Sequence, residues 1–189
     1  MPISLPIDAG ANALLNRSPL ALLIAMLLDQ QIPLERAFAA PAELERRLGS
    51  DLDAEAIADY DPETLIKLFG EKPALHRFPK SMAARVQSLC RALVERYDGD
   101  AEAVWRDAAS GRELYRRVAE LPGFGDQKAK IFVALLGKGL GVRPAGWREA
   151  AGAYGEEGSH RSVADIVDDE SLGLVRAYKQ QMKAAAKAG

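Results

Sequence analysis

Residues 121–129, LPGFGDQKA, are the stretch on which the reading of this chain turns. They lie between a helical pattern that ends near Ala119 and another that begins near Asp126, whose carboxylate is placed to cap it. Two glycines one residue apart, just before a helix N-terminus, let the backbone take dihedrals closed to other residues and leave N–H groups pointing outward. The helix dipole makes such a terminus attractive to an anion. With no side chain at Gly123 or Gly125, a phosphodiester can approach the backbone closely. Lys128 and Lys130, in the first turns of the following helix, can pair with it. A G-x-G alone also serves a plain helix-to-helix turn, so the rest of the chain has to discriminate.

Outward from this segment, helical periodicity dominates and no run of alternating β-branched residues occurs, so the chain reads as all-α. Ser18-Pro19 is a cap followed by a first-turn proline, opening LALLIAMLLDQQ, whose all-round hydrophobicity predicts burial at the centre of the fold. Pro33 interrupts it. Helices are predicted at 34–40 and, separately, 41–48, with Gly49 as the stop. Asp61-Pro62 repeats the cap-then-proline signal before PETLIKLF, and a long amphipathic helix covers 79–97. Shorter helices are expected at 101–108 and 112–119, then one from Pro144 to about Gly152. GAYGEEGSH reads as a surface loop. Ser162 caps the final helices, whose Lys/Ala-rich end is expected to fray. The chain is expected to form a single compact unit over 1–189, with a helix-hairpin-helix at about 112–138 and a loop with C-terminal helices at 155–189.

At 189 residues, with 48% apolar and 28% charged residues, the chain can bury a real core and is neither disordered nor fibrous. Its longest apolar run, 19–28, is about half of the ~20 residues a membrane span needs. The N-terminus MPISLPIDAG lacks a charged, hydrophobic, cleavable leader. One cysteine, Cys90, excludes an internal disulfide or a four-cysteine site from one chain, and fits a reducing cytoplasm. Net charge is −2, yet its distribution is uneven. Residues 43–71 carry −6, 72–96 carry six basic residues and one acid, and 121–148 carry five basic residues and one acid. Such runs belong to solvated helix faces as readily as to a nucleic-acid interface.

The string LPGFGDQKA resembles the hairpin of the helix-hairpin-helix GPD superfamily of base-excision DNA glycosylases, in which L-P-G-x-G is followed by a small residue. A second resemblance lies some 90 residues upstream. LLDQQIPLERA, residues 27–37, is similar to the family's central helix, an apolar run ending in Gln-Gln with an alanine six residues on; Pro33 stands where the family usually has Ser or Thr. The resemblance covers about 18–154. It implies a two-lobed all-α fold that binds double-stranded DNA, with no membrane partner, expected as a monomer. The DNA-gripping residues it implies are Gly123, Gly125, Lys128 and Lys130, with Gln30 and Gln31 filling the gap left by a flipped nucleotide. Arg77, Lys80 and Arg85 extend the phosphate track. The resemblance also implies a monovalent cation on the hairpin carbonyls of residues 121–125, and no other cofactor. The iron–sulfur cluster of one branch is excluded by the cysteine count.

Catalysis is where the chain departs from the family pattern. Bifunctional members carry a Schiff-base lysine at the position held here by Gln127, and Lys128 is turned about 100° away from it around the helix. The family's aspartate, some 18 residues later, has no counterpart: 127–148 holds no carboxylate at all, and the first one offered is Glu149. The expectation is a monofunctional glycosylase using Glu149, or a carboxylate nearer the C-terminus such as Asp165, with Trp147 or Tyr154 stacking on a flipped base. Two alternatives stay open: a non-catalytic binder of damaged or distorted DNA, and a helical protein-interaction scaffold.

Overall fold

The computed structural model describes residues 2–188. The chain is 68% helical and, among the described residues, has no strand, as the periodicity predicts. It forms two compact units, one of Ile7–Asp107 with Glu120–Gly125, the other of residues 2–6, Ala108–Ala119 and 126–188.

In the first unit α1 (Ala9–Arg17) is capped by Asp8, which accepts from the Ala11 N–H at 2.9 Å. Ser18 Oγ accepts from the Ala21 N–H to start α2 (Pro19–Leu28), and Pro19 supplies the first helical φ. Every residue from Leu20 to Leu28 is buried, so α2 is surrounded on all sides. Each of its large aliphatic side chains contributes about 1.5–3 kcal/mol by burial. The helix α3 (Leu34–Leu48) runs unbroken through Pro41, against the expectation of two helices. Pro41 forfeits one backbone hydrogen bond, but its ring lies on the buried stripe Ala37, Phe38, Ala40, Leu44, and that continuous apolar face outweighs the local break. Then come α4 (Ala54–Ala58), absent from the sequence reading, α5 (Pro62–Gly70), α6 (Pro79–Tyr97) and α7 (Ala103–Arg106). Asp53 and Asp61 cap α4 and α5. Buried Gln87 of α6 donates to the Ile57 and Tyr60 carbonyls at the end of α4, closing groups that a helix terminus leaves open.

The second unit holds α8 (Gly111–Ala119), α9 (Asp126–Leu135) with a π-helical turn over Leu136–Leu140, α10 (Trp147–Ala151), and α11 (Asp169–Ala188). The helix expected from Pro144 starts three residues later. Gly146 takes φ +76°, and the backbone there lies against Gly111, whose N–H donates to the Ala145 carbonyl, with no room for a Cβ. Trp147 then drops its ring onto Gly137 of the π-helical turn. Ser162 caps a 3₁₀ turn, Val163–Asp165. The Lys/Ala-rich end is part of α11, which is helical through Ala188.

Candidate nucleic-acid interface

The hairpin loop is anchored by Leu121 and Phe124, both buried, and closed by the Phe124 N–H donating to the Leu121 carbonyl at 3.1 Å. Between them Gly123 takes φ +86° and lies so close to α2 that a Cβ would stand 2.7 Å from Leu27 Cδ1. Gly125 differs. Its φ is ordinary, it is exposed, and a Cβ there would meet nothing within 4 Å. Only one of the two glycines therefore needs an unusual dihedral, contrary to the sequence expectation. The contact with Leu27 joins residues 121–125 of the hairpin string to LLDQQIPLERA within one unit.

At the end of α2 the two glutamines separate in role. Gln30 is half-buried, its Nε2 donating to the Leu27 carbonyl at 2.8 Å and its Oε1 accepting from Arg85 Nη1 at 3.0 Å. Gln31 is exposed and held at φ +57°, a left-handed conformation that costs a non-glycine residue about 1–3 kcal/mol. Buried His76 supports the loop from beneath. Its Nδ1 accepts from the Phe78 N–H at 3.0 Å, which leaves the proton on Nε2, and Nε2 donates to the carbonyls of Leu28 (3.2 Å) and Gln30 (2.9 Å). Beside it Phe78 is 42% exposed, with the Arg77 guanidinium 5.4 Å from its ring centre. Sequence reasoning missed His76 and Phe78. An aromatic residue set among Arg77, Lys80 and Arg85, directly before a helix-opening proline, is the signal that could have shown Phe78.

The model of the HhH-GPD superfamily base excision DNA repair protein matches residues 24–187. The chain belongs to this superfamily. Comparison with curated proteins and with solved structures gave no significant match. As an HhH-GPD base excision repair protein it has DNA as its partner.

The HhH-GPD residues of the second unit are spread over several local arrangements. Asp126 is the first residue of α9 rather than its cap. Its carboxylate accepts from Tyr115 Oη at 2.6 Å and from Lys130 Nζ at 3.0 Å; the tyrosine hydrogen bond and then the lysine hold its pKa below the usual carboxylate range. Lys130 is thus engaged by an acid one turn back, which raises its own pKa. Gln127 donates through Nε2 to Tyr154 Oη at 2.9 Å, and Lys128 is half-buried on the next position. Trp147 is 8% exposed, packed against Gly137 with the Arg148 guanidinium 4.6 Å from its ring centre. Its faces are occupied, so it is a core residue and offers no open platform to a base. Glu149 is exposed, three residues into α10. Asp165 is buried and fully used, accepting from Lys138 Nζ, Ser159 Oγ and the N–H groups of Arg161 and Ser162. That network removes it as a free acid or base. Among the described residues no group of three or more His, Cys, Asp or Glu is placed to hold a metal ion.

Proposed function

We propose that this HhH-GPD protein binds duplex DNA through the hairpin loop and the first turns of α9, and acts as a monofunctional glycosylase on a flipped, damaged base. The observation that carries the reading is the seating of Gly123 on Leu27, which couples the phosphate-gripping loop to the Gln30-Gln31 loop. Gly123, Gly125, Lys128 and Lys130 hold the DNA backbone, and a monovalent cation on the carbonyls of residues 121–125 would add a positive charge beside the phosphates. Gln31, exposed and rigidly supported, fills the gap in the duplex, with Gln30 as its buried brace and Phe78 as a second, aromatic filler. Tyr154 orients Gln127 and borders the base.

An amide at position 127 has no nucleophilic lone pair, so no Schiff base forms there. Hydrolysis instead needs a carboxylate to take a proton from water while the water oxygen bonds to C1′ and the C1′–N electron pair leaves with the base, which then collects a proton. Glu149 is our candidate for that carboxylate. A second reading, a non-catalytic binder of damaged DNA, is favoured by one fact: 127–148 holds no acid at all.

The test is base release from duplexes carrying uracil, alkylated and oxidised bases. We expect release from one class, loss of that release in Glu149→Gln with duplex binding kept, and no covalent adduct when borohydride is added to abasic-site DNA. Release from none of the substrates leaves the binder reading; full activity in Glu149→Gln moves the chemistry to another carboxylate.

A further inference from the structure

We infer that the C-terminal half of α11 is a second, sequence-independent contact for the DNA phosphate backbone, separate from the hairpin. The inference rests on the DNA-binding reading above and adds a surface to it.

From Arg176 to Ala188 every residue of α11 is exposed except half-buried Tyr178, so this stretch of about 13 residues is not held by packing. A helix that short is marginal in water by itself. Its composition, RAYKQQMKAAAKA, is rich in strong helix formers, which keeps it helical without a core behind it. Lys179, Lys183 and Lys187 recur at intervals of four residues. At about 100° per residue they fall within an arc of about 80°, and at about 1.5 Å per residue they extend over about 12 Å. The result is a straight cationic stripe on an uncovered helix.

What makes the stripe more than solvated surface is its lack of acids. Several helical cations elsewhere in this chain are neutralised one turn away: Arg47 by Glu43, Arg106 by Glu102, Arg117 by Glu113 and Lys130 by Asp126. From Ser171 to Gly189 the sequence has no Asp or Glu, while Lys179, Lys183 and Lys187 follow one another at one-turn spacing. Lys179, Lys183 and Lys187 are instead like charges at i,i+4, which disfavours the helix by about 0.2–0.5 kcal/mol per pair. A helix selected only for solubility has no reason to accept that repulsion, because alternating Glu and Lys gives the same solubility with attraction. A polyanion turns the repulsion into attraction. Duplex DNA carries one phosphate per strand for every ~3.4 Å of helix axis, so a stripe of about 12 Å has several within reach, and a repair protein meets that polyanion as its partner.

The experiment compares the full chain with Lys179→Gln/Lys183→Gln/Lys187→Gln in titrations of an undamaged duplex at increasing salt. Losing three phosphate contacts should flatten the log–log salt slope by about 2.7 and weaken binding at low salt. The matching triple Lys→Arg variant should keep the wild-type slope, and Lys183→Gln alone should flatten it by about 0.9. An unchanged slope in the triple Gln variant, with wild type binding DNA, overturns this inference and leaves the hairpin reading standing. Wild type that binds no duplex at low salt overturns the hairpin reading as well. Loss of binding to phosphatidylserine–phosphatidylcholine vesicles in the triple variant, with the DNA slope unmoved, assigns the stripe to a lipid surface and also overturns it.

Discussion

Gly123 and Gly125 are alike in sequence and opposite in what they tolerate. A methyl at position 123 faces a positive φ and the Leu27 side chain, so Gly123→Ala should destabilise the protein by about 1–3 kcal/mol in urea unfolding. At position 125 neither obstacle exists, and Gly125→Ala should leave stability unchanged or raise it by up to about 1 kcal/mol while weakening duplex binding. Wild-type affinity in Gly125→Ala would move the phosphate contact off this loop. The loop motif was readable from the sequence because two glycines one residue apart before a helix are a local signal. Which of the two carries the strain was not, because the answer lies in a contact with a residue 96 positions earlier. Cys90 shows the opposite case: its place on the apolar stripe of α6 was legible, and burial pushes its thiol up to about 12, as expected for a core residue.

Among the elements, the loop between α2 and α3 depends most on one distant group. Removing the imidazole in His76→Ala would leave the Leu28 and Gln30 carbonyls and the Phe78 N–H without this partner, at a cost of at least about 2 kcal/mol. Gln31 should then lose its imposed conformation, so the variant should bind duplex DNA more weakly even at temperatures where it is fully folded. Thermal unfolding and a DNA titration on the same sample check both halves; unchanged binding in a destabilised protein would show that Gln31 does not need this loop geometry. Helix starts marked by Ser18-Pro19 and Asp61-Pro62 were legible because capping is settled within four residues. Pro41 and Pro144 misled for a common reason. In α3 a buried stripe overrides the proline, and before α10 the close approach of Gly111 and Gly146 sets the start, and neither effect is visible in a local window. His76 and Phe78 escaped notice because their roles exist only once residue 76 lies under residues 28 and 30.

Over the molecule as a whole, hydrogen-bonded carboxylates tie stability to pH. Glu43 is held at about 2, chiefly by its hydrogen bond from Arg46, and Asp61, Glu113, Asp126 and Asp168 are all lowered by hydrogen bonds from their neighbours. A carboxyl whose pKa is depressed on folding binds fewer protons in the folded state, so stability rises with pH across that range. The contribution is therefore complete above the ordinary carboxylate values and disappears as pH falls, for Glu43 between 4.5 and about 2. Melting temperature should drop as pH falls below about 5, with a smaller drop in high salt because these groups are exposed and screened. A melting temperature that rises on acidification would contradict the assignment.

The division of the chain also bears on how it is made. Residues 120–125 complete the unit begun at Ile7, yet they follow a segment, Ala108–Ala119, that belongs to the other. During synthesis the first unit must wait at the ribosome for its hairpin loop, holding an apolar α2 whose Leu27 has not yet met Gly123. Residues 2–6 wait longer still for the segment that they join. A chain that stops before residue 120 lacks the loop that completes the first unit, whereas one that stops just after Gly125 holds every residue of that unit and leaves 2–6 and 108–119 without the rest of theirs.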